Sequence, residues 1–300
     1  MPLLVVGSVA FDSVETPTAS RDRVLGGSAV FFSYAASYFS SVRLVGAVGE
    51  DWPSEHTELL EARKIDISGL KHIEGGKTFF WRGKYLPNMN DRETMEVQLN
   101  VLEQYSPVLT EEYRRSKFVF LANGPPGTQL RVLEQLTGPT LIVADTMELW
   151  IRETHDEVRA LLKRIDGLVL SDSEAKLLTG DENLVRAGHK VLKMGPKFAV
   201  IKKGEHGAMF FGEHETYVMP AYPTPNLVDP TGAGDSFAGG MMGYLAEQGN
   251  FNPKTLKTAL AYGTLVASFT VEDFSLDRLR QVERPDIERR MVEYRKMLSF

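Results

Sequence analysis

The stretch with the clearest chemistry in this 300-residue chain is residues 229–240, DPTGAGDSFAGG. Gly232, Ala233 and Gly234 are small enough to let a ligand approach the backbone N–H groups, and a helix-compatible segment follows them. Amides at the start of a helix, where the helix dipole is positive, favour an anion such as phosphate. Asp235 would repel a bound phosphate unless it takes a proton from the group that attacks it. The stretch therefore predicts a phosphoryl-transfer site in which Asp235 is the general base.

Short apolar runs bounded by turn residues alternate with helical patterns along most of the chain. This alternation predicts βαβ crossovers and a mainly parallel sheet covered by helices, which is a doubly wound α/β fold. The predicted strands are residues 3–6, 42–48, 118–122, 140–144, 167–170, 198–202, 208–211 and 215–219. The predicted helices are residues 29–39, 54–64, 129–136, 154–164, 174–178, 183–194, 236–247, 252–269 and 285–297. In such sheets ligands bind beyond the carboxyl ends of the strands, so residues that follow a strand are candidates for the site.

Residues 70–100 interrupt this pattern, because they contain no convincing long helix. Residues 77–85 and 93–99 have the composition of two strands around a polar turn, which predicts an inserted β-hairpin. We expect residues 12–18 and 72–100 to form a small β-sheet over one face of the α/β body. A site that transfers phosphate to an alcohol must exclude water, so this sheet is interpreted as a lid. A surface hairpin without function is the alternative.

Residues 1–300 are expected to form a single α/β domain that carries this lid. Phe79, Phe80 and Trp81 give the lid an apolar face, and an exposed face of this kind would need cover. The pairing of two lids in a homodimer is the arrangement that would provide it.

The composition and charge of the chain exclude several classes of partner. The residues are 43% hydrophobic and 25% charged, as in ordinary globular proteins, and the net charge of −6 offers no broad basic face for nucleic acid or an anionic membrane. There are no cysteines, which excludes disulfides, thiolate metal ligands and cysteine nucleophiles. No apolar run approaches the ~18 residues that would span a bilayer. We therefore expect a cytoplasmic protein that acts on a small molecule.

Polar or small residues follow several of the predicted strands. Asp12 lies just beyond the first strand, where its carboxylate could accept hydrogen bonds from sugar hydroxyls, and an ordinary turn aspartate is the alternative. Asn123 follows another strand and could both donate to and accept from a hydroxyl ligand. Gly26 and Gly27 precede a helical pattern, so they either set backbone amides against a ligand or form a loop that needs positive φ.

Residues 202–207, KKGEHG, join two predicted strands. Their glycines suit a tight turn, but the position at a sheet edge would also place Lys202, Gly204 and Gly207 beside the phosphates of a nucleotide. No Gly-x-x-x-x-Gly-Lys-Ser/Thr motif is present, so the chain is not a P-loop NTPase. No Gly-x-Gly-x-x-Gly opens a helix after the first strand, which disfavours a dinucleotide-dependent oxidoreductase. The six histidines show no metal-ligand spacing.

Residues 229–237, DPTGAGDSF, resemble the C-terminal signature of the ribokinase/PfkB family of carbohydrate kinases over its whole length. The pair Gly26 and Gly27 followed by a helical pattern is similar to the N-terminal motif of that family, and the order of elements also matches. The resemblance covers nearly the whole chain. It implies a ribokinase-like three-layer α/β sandwich with a mainly parallel central sheet and a small β-sheet lid. It also implies an ATP- and Mg²⁺-dependent kinase that phosphorylates a hydroxyl of a small sugar-like acceptor.

The resemblance further implies roles for individual residues. Asp235 would be the catalytic base, and the amides of Gly232, Ala233 and Gly234 would hold the transferring phosphoryl group. The other implied contacts are to the acceptor (Asp12, Gly26, Gly27), to the nucleotide phosphates (Gly204, Gly207), to adenine (Tyr262, Gly263), to Mg²⁺ (Glu174) and, in members that use one, to a monovalent cation such as K⁺ (Asp229).

Two positions depart from the family pattern. The family commonly has Asn a few residues after the glycine pair, and here Phe31 stands there, which favours a flatter, partly apolar acceptor such as a nucleoside. The Asn of its Asn-x-x-Glu motif is replaced by Ser171, while Glu174 is kept, so we expect weaker metal placement without loss of activity. These departures leave open a non-catalytic sensor that binds nucleotide or sugar, which the intact stretch 229–237 opposes.

Overall fold

The computed structural model describes residues 1–299 as thirteen strands and twelve α-helices. The strands are β1 (Leu3–Val6), β2 (Ala10–Glu15), β3 (Ser20–Gly26), β4 (Val42–Val48), β5 (Ile65–His72), β6 (Phe79–Tyr85), β7 (Arg92–Gln98), β8 (Phe118–Leu121), β9 (Leu141–Asp145), β10 (Gly167–Ser171), β11 (Phe198–Lys202), β12 (Ala208–Gly212) and β13 (Thr216–Met219). The helices are α1 (Ser28–Ala36), α2 (Ser54–Ala62), α3 (Val101–Gln104), α4 (Glu111–Arg114), α5 (Pro126–Leu133), α6 (Glu148–Glu153), α7 (His155–Leu162), α8 (Asp172–Thr179), α9 (Leu184–Leu192), α10 (Ala233–Gln248), α11 (Pro253–Thr270) and α12 (Arg284–Leu298).

Nine strands form the central sheet, in the order β13-β12-β11-β10-β9-β8-β1-β4-β5. The seven strands from β11 to β5 are parallel, and β12 and β13 are antiparallel, so the expectation of a mainly parallel sheet is confirmed. All four residues of β1 are buried, as expected for a strand covered on both faces. Leu3 and Val5 belong to the core under α1, α10 and α11, whereas Leu4 and Val6 belong to the core under α5, α7 and α9. This alternation along one strand defines three layers.

The central sheet has a topological switch point beside β1. The chain continues from β1 to β4 and β5 on one side, whereas β8 and the strands that follow it lie on the other. The connections therefore diverge at the carboxyl ends of β1 and β8, and such a divergence leaves a crevice in which ligands bind.

A second sheet of four strands has the order β3-β2-β6-β7. It corrects the predicted boundaries of 12–18 and 72–100, because β2 begins at Ala10 and β3 is an additional strand of this sheet. The sequence analysis missed β3 because four of its seven residues are exposed and polar, so it lacks the alternation that marks a half-buried strand. It also missed β5, which pairs with β4 at the edge of the central sheet.

The small sheet does not expose the apolar face that the sequence suggested. Phe80 is only 5% exposed and belongs to the core of the α/β body, with the guanidinium groups of Arg23 and Arg82 over its ring. Phe79 and Trp81 are half-buried and line a cleft between the two sheets. The expectation of an exposed face that includes Phe80 is therefore wrong, because successive residues of β6 point to opposite, separately covered sides. Across residues 1–299, no helix combines the length and apolar character needed to cross a membrane.

Candidate active site

A cleft opens where the small sheet faces the carboxyl ends of the central strands. Side chains from α1, β2, β6, β7 and α10 line it, together with the segments that follow β8 and β9. The structure brings Asp12, Gly27, Asn123, Gly232 and Asp235 together around this cleft, although they are distant in the sequence. The cleft coincides with the switch point of the central sheet, so the topology explains this convergence.

The start of α10 presents free backbone donors to the cleft. Gly232 caps the helix with a left-handed φ of 75°, and the N–H of Ala233 donates to the carbonyl of Pro230 at 3.1 Å. Within residues 1–299, the N–H groups of Gly234 and Asp235 have no hydrogen-bond acceptor. This corrects the expectation for Ala233, whose amide closes a turn. The amides available to an anion are those of Gly234 and Asp235.

The aromatic residue that departs from the family pattern contacts this helix start. Phe31 lies in α1 at 2% exposure, and its ring packs against Gly232 so closely that a Cβ there would overlap it. The same ring lines the cleft. Position 232 therefore requires glycine both for its backbone conformation and for this contact.

Asp235 lies among charged side chains. Burial by the surrounding protein raises the pKa of its carboxyl to about 7, and the charge of Asp145 adds to the rise. The cations of Lys202 and Arg92 oppose the rise. A carboxyl with a pKa near neutrality can both take up and release a proton under ordinary conditions, which is the property that a general base requires.

Asp12 in β2 is held by the glycine pair. A Cβ at Gly26 would overlap the Asp12 carboxylate, and the N–H of Gly27 donates to that carboxylate. Gly27 has a φ of 96°, and a Cβ on it would lie 2.5 Å from the Ser8 carbonyl oxygen. Burial raises the pKa of Asp12 to about 7 against the effect of the Gly27 hydrogen bond, and the charges of Asp229 and Asp235 raise it further. The glycine pair thus serves to seat a carboxylate beside the proposed base.

Trp150 fixes the orientation of Asn123. The indole N–H of Trp150 donates to Asn123 Oδ1 at 2.9 Å, and an indole nitrogen can only donate, so the amide oxygen must face the ring. The Asn123 NH₂ group contacts Met147 Sδ at 3.2 Å, and sulfur is a weak acceptor. Asn123 therefore presents a donor to a ligand, where the sequence analysis left donor and acceptor open. The sequence analysis did not assign Trp150 to the site. The feature that could have identified it is the position of an aromatic residue shortly after β9.

Replacing Trp150 with Phe should raise the KM for the phosphoryl acceptor roughly three- to tenfold and change kcat less, because one neutral hydrogen bond orients Asn123. Steady-state kinetics measure both constants. Trp52→Phe is the matched control, since Trp52 Nε1 donates to Thr57 outside the cleft. Equal effects of the two substitutions on KM would contradict the positioning role.

Lys202, Asp145 and Glu174 form a charged cluster whose members act on Asp235. Lys202 Nζ lies 3.4 Å from Asp145 Oδ2. Burial raises the pKa of Glu174 to about 7, and the charge of Asp145 adds to this effect. Burial alone would lower the pKa of Lys202, but the carboxylates of Asp145, Glu174 and Asp235 raise it above its ordinary value.

Ser171 and Glu174 form a capping box at the start of α8. Ser171 Oγ accepts from the Glu174 N–H at 3.2 Å, and Glu174 Oε2 accepts from the Ser171 N–H at 2.6 Å. The Ser-x-x-Glu spacing is a known helix-start signal, which the sequence analysis interpreted only as a modified metal motif. Ser171 therefore caps the helix and orients Glu174.

The residues present fit a Mg²⁺ ion that is bound together with a nucleotide. Within residues 1–299, no group of three or more His, Cys, Asp or Glu side chains could hold a metal alone. Glu174 keeps its Oε1 atom free of hydrogen bonds among the described residues. Mg²⁺ commonly uses one or two carboxylates and completes its coordination with substrate phosphates and water, so Glu174 suffices on the protein side.

The turn between β11 and β12 contacts the small sheet. Gly204 packs against Asn90 at the tip of the β6–β7 hairpin, and Asn90 Nδ2 donates to Glu205 at 3.2 Å. Gly207 packs against the backbone of β13, where a Cβ would overlap the Met219 carbonyl oxygen. Gly207 thus packs tightly in the turn, Gly204 lies where the hairpin reaches across the site, and the contact of both with nucleotide phosphates stays a prediction.

Tyr262 and Gly263 do not reach the cleft. The Tyr262 ring packs against Phe39 and Tyr244, and its hydroxyl donates to Glu288 of α12 at 2.9 Å. Gly263 lies in the interface between α10 and α11, where a Cβ would be 2.6 Å from the Phe237 carbonyl oxygen. Both residues have packing contacts within the helical layer, and their contact with adenine stays a prediction.

Asp229 is 1% exposed and organises the turn before α10. Its Oδ1 accepts from the Thr231 N–H at 2.9 Å, and burial raises the pKa of its carboxyl. These contacts give Asp229 a structural role in shaping the anion-binding turn. Its binding of a monovalent cation remains a prediction.

Two further residues reach the site from the small sheet. Tyr85 and Arg92 face each other across β6 and β7, and the Thr231 hydroxyl donates to the Tyr85 oxygen at 3.2 Å. Arg92 lines the cleft, and the charges of Glu174 and Asp235 contribute to a raised pKa of its guanidinium. The sequence analysis assigned Arg92 to a polar turn. The pairing of the two strands is what directs it to the site.

The sequence matches a known family over nearly its whole length. The model of the pfkB family of carbohydrate kinases matches residues 5–279. The chain belongs to the pfkB family. A curated relative, the cytidine kinase of Thermococcus kodakarensis, is 30% identical over 249 residues, which are 81% of this chain and 87% of the relative. This pfkB family member is therefore a kinase of the sugar and nucleoside class, and the oxidoreductase alternative is excluded.

Solved structures confirm the ribokinase-like fold of this pfkB family member. The nucleoside kinase of Methanocaldococcus jannaschii superposes with a TM-score of 0.78 at 17% identity, over 97% of this chain and 98% of that one. The aminoimidazole riboside kinase of Salmonella enterica, solved with aminoimidazole riboside and an ATP analogue, gives a TM-score of 0.77 at 16% identity, over 97% and 100%. The expected three-layer sandwich with an added small sheet is thereby confirmed.

Proposed function

We propose that this pfkB family member is an ATP-dependent nucleoside kinase. The observation that carries the proposal is the aromatic lining of the cleft, where the half-buried rings of Phe79 and Trp81 lie with Asp12 and Asp235. The buried ring of Phe31 packs against Gly232 and completes this lining. Flat apolar rings offer stacking surfaces to a nucleobase, whereas a polyhydroxylated sugar needs many polar partners. Asp12 remains available to accept hydrogen bonds from ribose hydroxyls. A nucleoside offers a flat base to the aromatic rings and ribose hydroxyls to Asp12.

The names of similar proteins support this choice of acceptor. The Thermococcus kodakarensis relative is a cytidine kinase, and the Salmonella enterica structure contains a riboside together with an ATP analogue. A free sugar is the acceptor class that the sequence analysis gave first. Phe31 weighs against it, because an aromatic ring cannot donate or accept the hydrogen bonds of a sugar hydroxyl as Asn would.

In the proposed reaction, the Asp235 carboxylate takes the proton from the acceptor hydroxyl. The hydroxyl oxygen forms a bond to the γ-phosphorus of ATP while the bond from that phosphorus to the β-phosphate oxygen breaks, and ADP leaves. The amides of Gly234 and Asp235 donate to the phosphoryl oxygens. Mg²⁺, when held at Glu174, would supply positive charge next to the phosphates.

We propose that the small sheet serves as a lid in this reaction. Its contacts to the α/β body support this role. Tyr85 accepts a hydrogen bond from Thr231 just before α10, and Asn90 donates one to Glu205 in the turn between β11 and β12. A sheet fastened at these two points covers the space between acceptor and nucleotide. Covering that space excludes water, which would otherwise compete for the phosphoryl group.

Activity should depend on pH through the cleft carboxyls. The pKa of Asp235 is about 7 in the free protein, and only the deprotonated carboxylate can act as a base. We therefore expect kcat/KM to be constant well above this value and to fall at least tenfold for each pH unit below it, since Asp12 and Glu174 take up protons in the same range. A pH–rate profile at saturating Mg²⁺ measures this. A profile that stays flat down to about pH 5 would show that no carboxyl with a raised pKa controls the reaction.

An ATP-depletion screen tests the proposed function. The acceptor panel contains cytidine, uridine, adenosine, inosine, free ribose, hexoses, sugar acids and inositols. We expect at least one nucleoside to be phosphorylated with a kcat/KM at least tenfold above that of free ribose. A preference for a free sugar would overturn the nucleoside assignment. No ATP consumption with any acceptor would favour the non-catalytic sensor.

A further inference from the structure

The ammonium group of Lys202 lies next to the start of α10, whose free backbone N–H groups could bind an anion. Lys202 ends β11, its side chain is 19% exposed, and a Cβ on Gly234 would lie 2.7 Å from Nζ. The ammonium group therefore occupies the space that the missing side chain of Gly234 leaves open. The unsatisfied N–H groups of Gly234 and Asp235 are at the same place. A cation and two free backbone donors thus converge beside the base.

The hydrogen-bonding capacity of Lys202 is largely unused. An ammonium has three donors, and within residues 1–299 its one acceptor is Asp145 Oδ2 at 3.4 Å. Charge-assisted hydrogen bonds are typically about 2.7–2.9 Å long, so this one is loose. Asp145 itself is 4% exposed and accepts from the Thr146 N–H at 2.8 Å. Asp145 therefore fixes the position of the ammonium without saturating it.

We propose that Lys202 binds the phosphoryl group that is transferred from ATP, and that Asp145 is a positioning residue for Lys202. The sequence analysis expected Lys202 only beside the nucleotide phosphates, whereas this proposal assigns it to the γ-phosphate and therefore to the reacting atoms. The proposal rests on the proposed kinase function. Lys202 stays protonated throughout: Asp235 receives the acceptor proton, the new O–P bond forms, and the bond to ADP breaks. The ammonium neutralises charge on the phosphoryl oxygens as they separate from ADP.

A purely structural ion pair is the competing explanation for Lys202. In that case the ammonium would only neutralise Asp145 in the interior, and its loss would affect all nucleotides equally. The two explanations differ in a measurable quantity, which is the affinity for a nucleotide with a γ-phosphate relative to one without it.

Calorimetric titration of Lys202→Met with Mg²⁺-ADP and with Mg²⁺-AMP-PNP tests the proposal. Loss of a hydrogen bond to a charged group should weaken AMP-PNP binding about 10- to 100-fold and ADP binding less than about threefold. Lys197→Met, just before the amino end of the same strand, is the matched control, because that lysine is exposed and pairs with Asp166 at 2.8 Å, and it should leave both affinities unchanged. Equal weakening of ADP and AMP-PNP, or no weakening of either, would overturn the proposal.

A second variant covers the case in which Lys202→Met leaves an unpaired buried carboxylate and unfolds. Asp145→Asn combined with Lys202→Met removes both charges of the pair. We expect this double variant to fold and still to bind AMP-PNP about 10- to 100-fold more weakly than the wild type. Recovery of wild-type AMP-PNP affinity would show that Lys202 only neutralises Asp145. These titrations contain no acceptor, so they remain decisive if the screen rejects nucleosides.

Discussion

Asp235→Asn should lower kcat for the best acceptor about 10²- to 10⁴-fold and leave the fold unchanged. The substitution preserves the shape of the side chain and removes its ability to take a proton. It also removes one negative charge that raises the pKa of Asp12 and that the charges of Asp145 and Glu174 oppose. Binding of Mg²⁺-AMP-PNP should therefore be as tight as in the wild type or tighter.

The combination of a lost kcat with retained nucleotide affinity identifies the base. Rapid-quench kinetics and calorimetry on the same preparation measure both. Asp277→Asn is the control, since Asp277 is an exposed carboxylate that pairs with Arg280 at 3.7 Å on the surface. If Asp235→Asn kept turnover within about threefold of the wild type, proton transfer to Asp235 would not contribute to the rate.

Most of the central sheet could be predicted because its strands are short, mainly apolar and mostly separated by helices. Six of its nine strands (β1, β4, β8, β9, β10 and β11) are almost wholly buried, and burial on both faces produces a nearly continuous apolar run such as that of β1. β12 and β13 were predicted from two short runs of strand-forming residues, 208–211 and 215–219, that lie close together in the sequence. The edge strand β5 and the solvated strand β3 were missed, because exposure removes the apolar signal that identifies a strand.

The candidate site could be predicted where close packing constrains the backbone. The helix start at residues 229–240 requires small residues, and the glycine pair requires space for Asp12, so both left clear patterns in the sequence. Arg92, which acts through a single long side chain, left none. It enters the cleft from β7, and only the pairing of β6 with β7 determines where it points.

Tyr262 shows what a motif position leaves open. The family pattern implies a contact with adenine, which stays a prediction, and it gives no sign that the side chain also contacts Phe39 and Glu288 within the helical layer. Its hydroxyl finds a partner there, which a buried tyrosine requires. Position in a family pattern specifies the backbone location, whereas the identity of the side chain decides which neighbours it contacts.

Gly232→Ala should lower kcat/KM by about 100-fold or more, because two separate requirements for glycine coincide there. The left-handed φ of 75° is strained for alanine, and the new Cβ would overlap the Phe31 ring. Either the ring or the start of α10 must move. A shift of about 1 Å in the amides of Gly234 and Asp235 is enough for a loss of this size.

Gly180→Ala separates the two requirements. Gly180 also has a left-handed φ, 63°, but a Cβ there would meet no heavy atom within 4 Å. It should lose about 1 kcal/mol of unfolding free energy and keep full activity. Gly232→Ala combined with Phe31→Leu should recover part of the lost kcat/KM, since leucine can withdraw from the new methyl group. Denaturant unfolding and steady-state kinetics on the three variants measure these effects. If Gly232→Ala lost stability as Gly180→Ala does and kept its kcat/KM, the start of α10 would not hold the phosphoryl group.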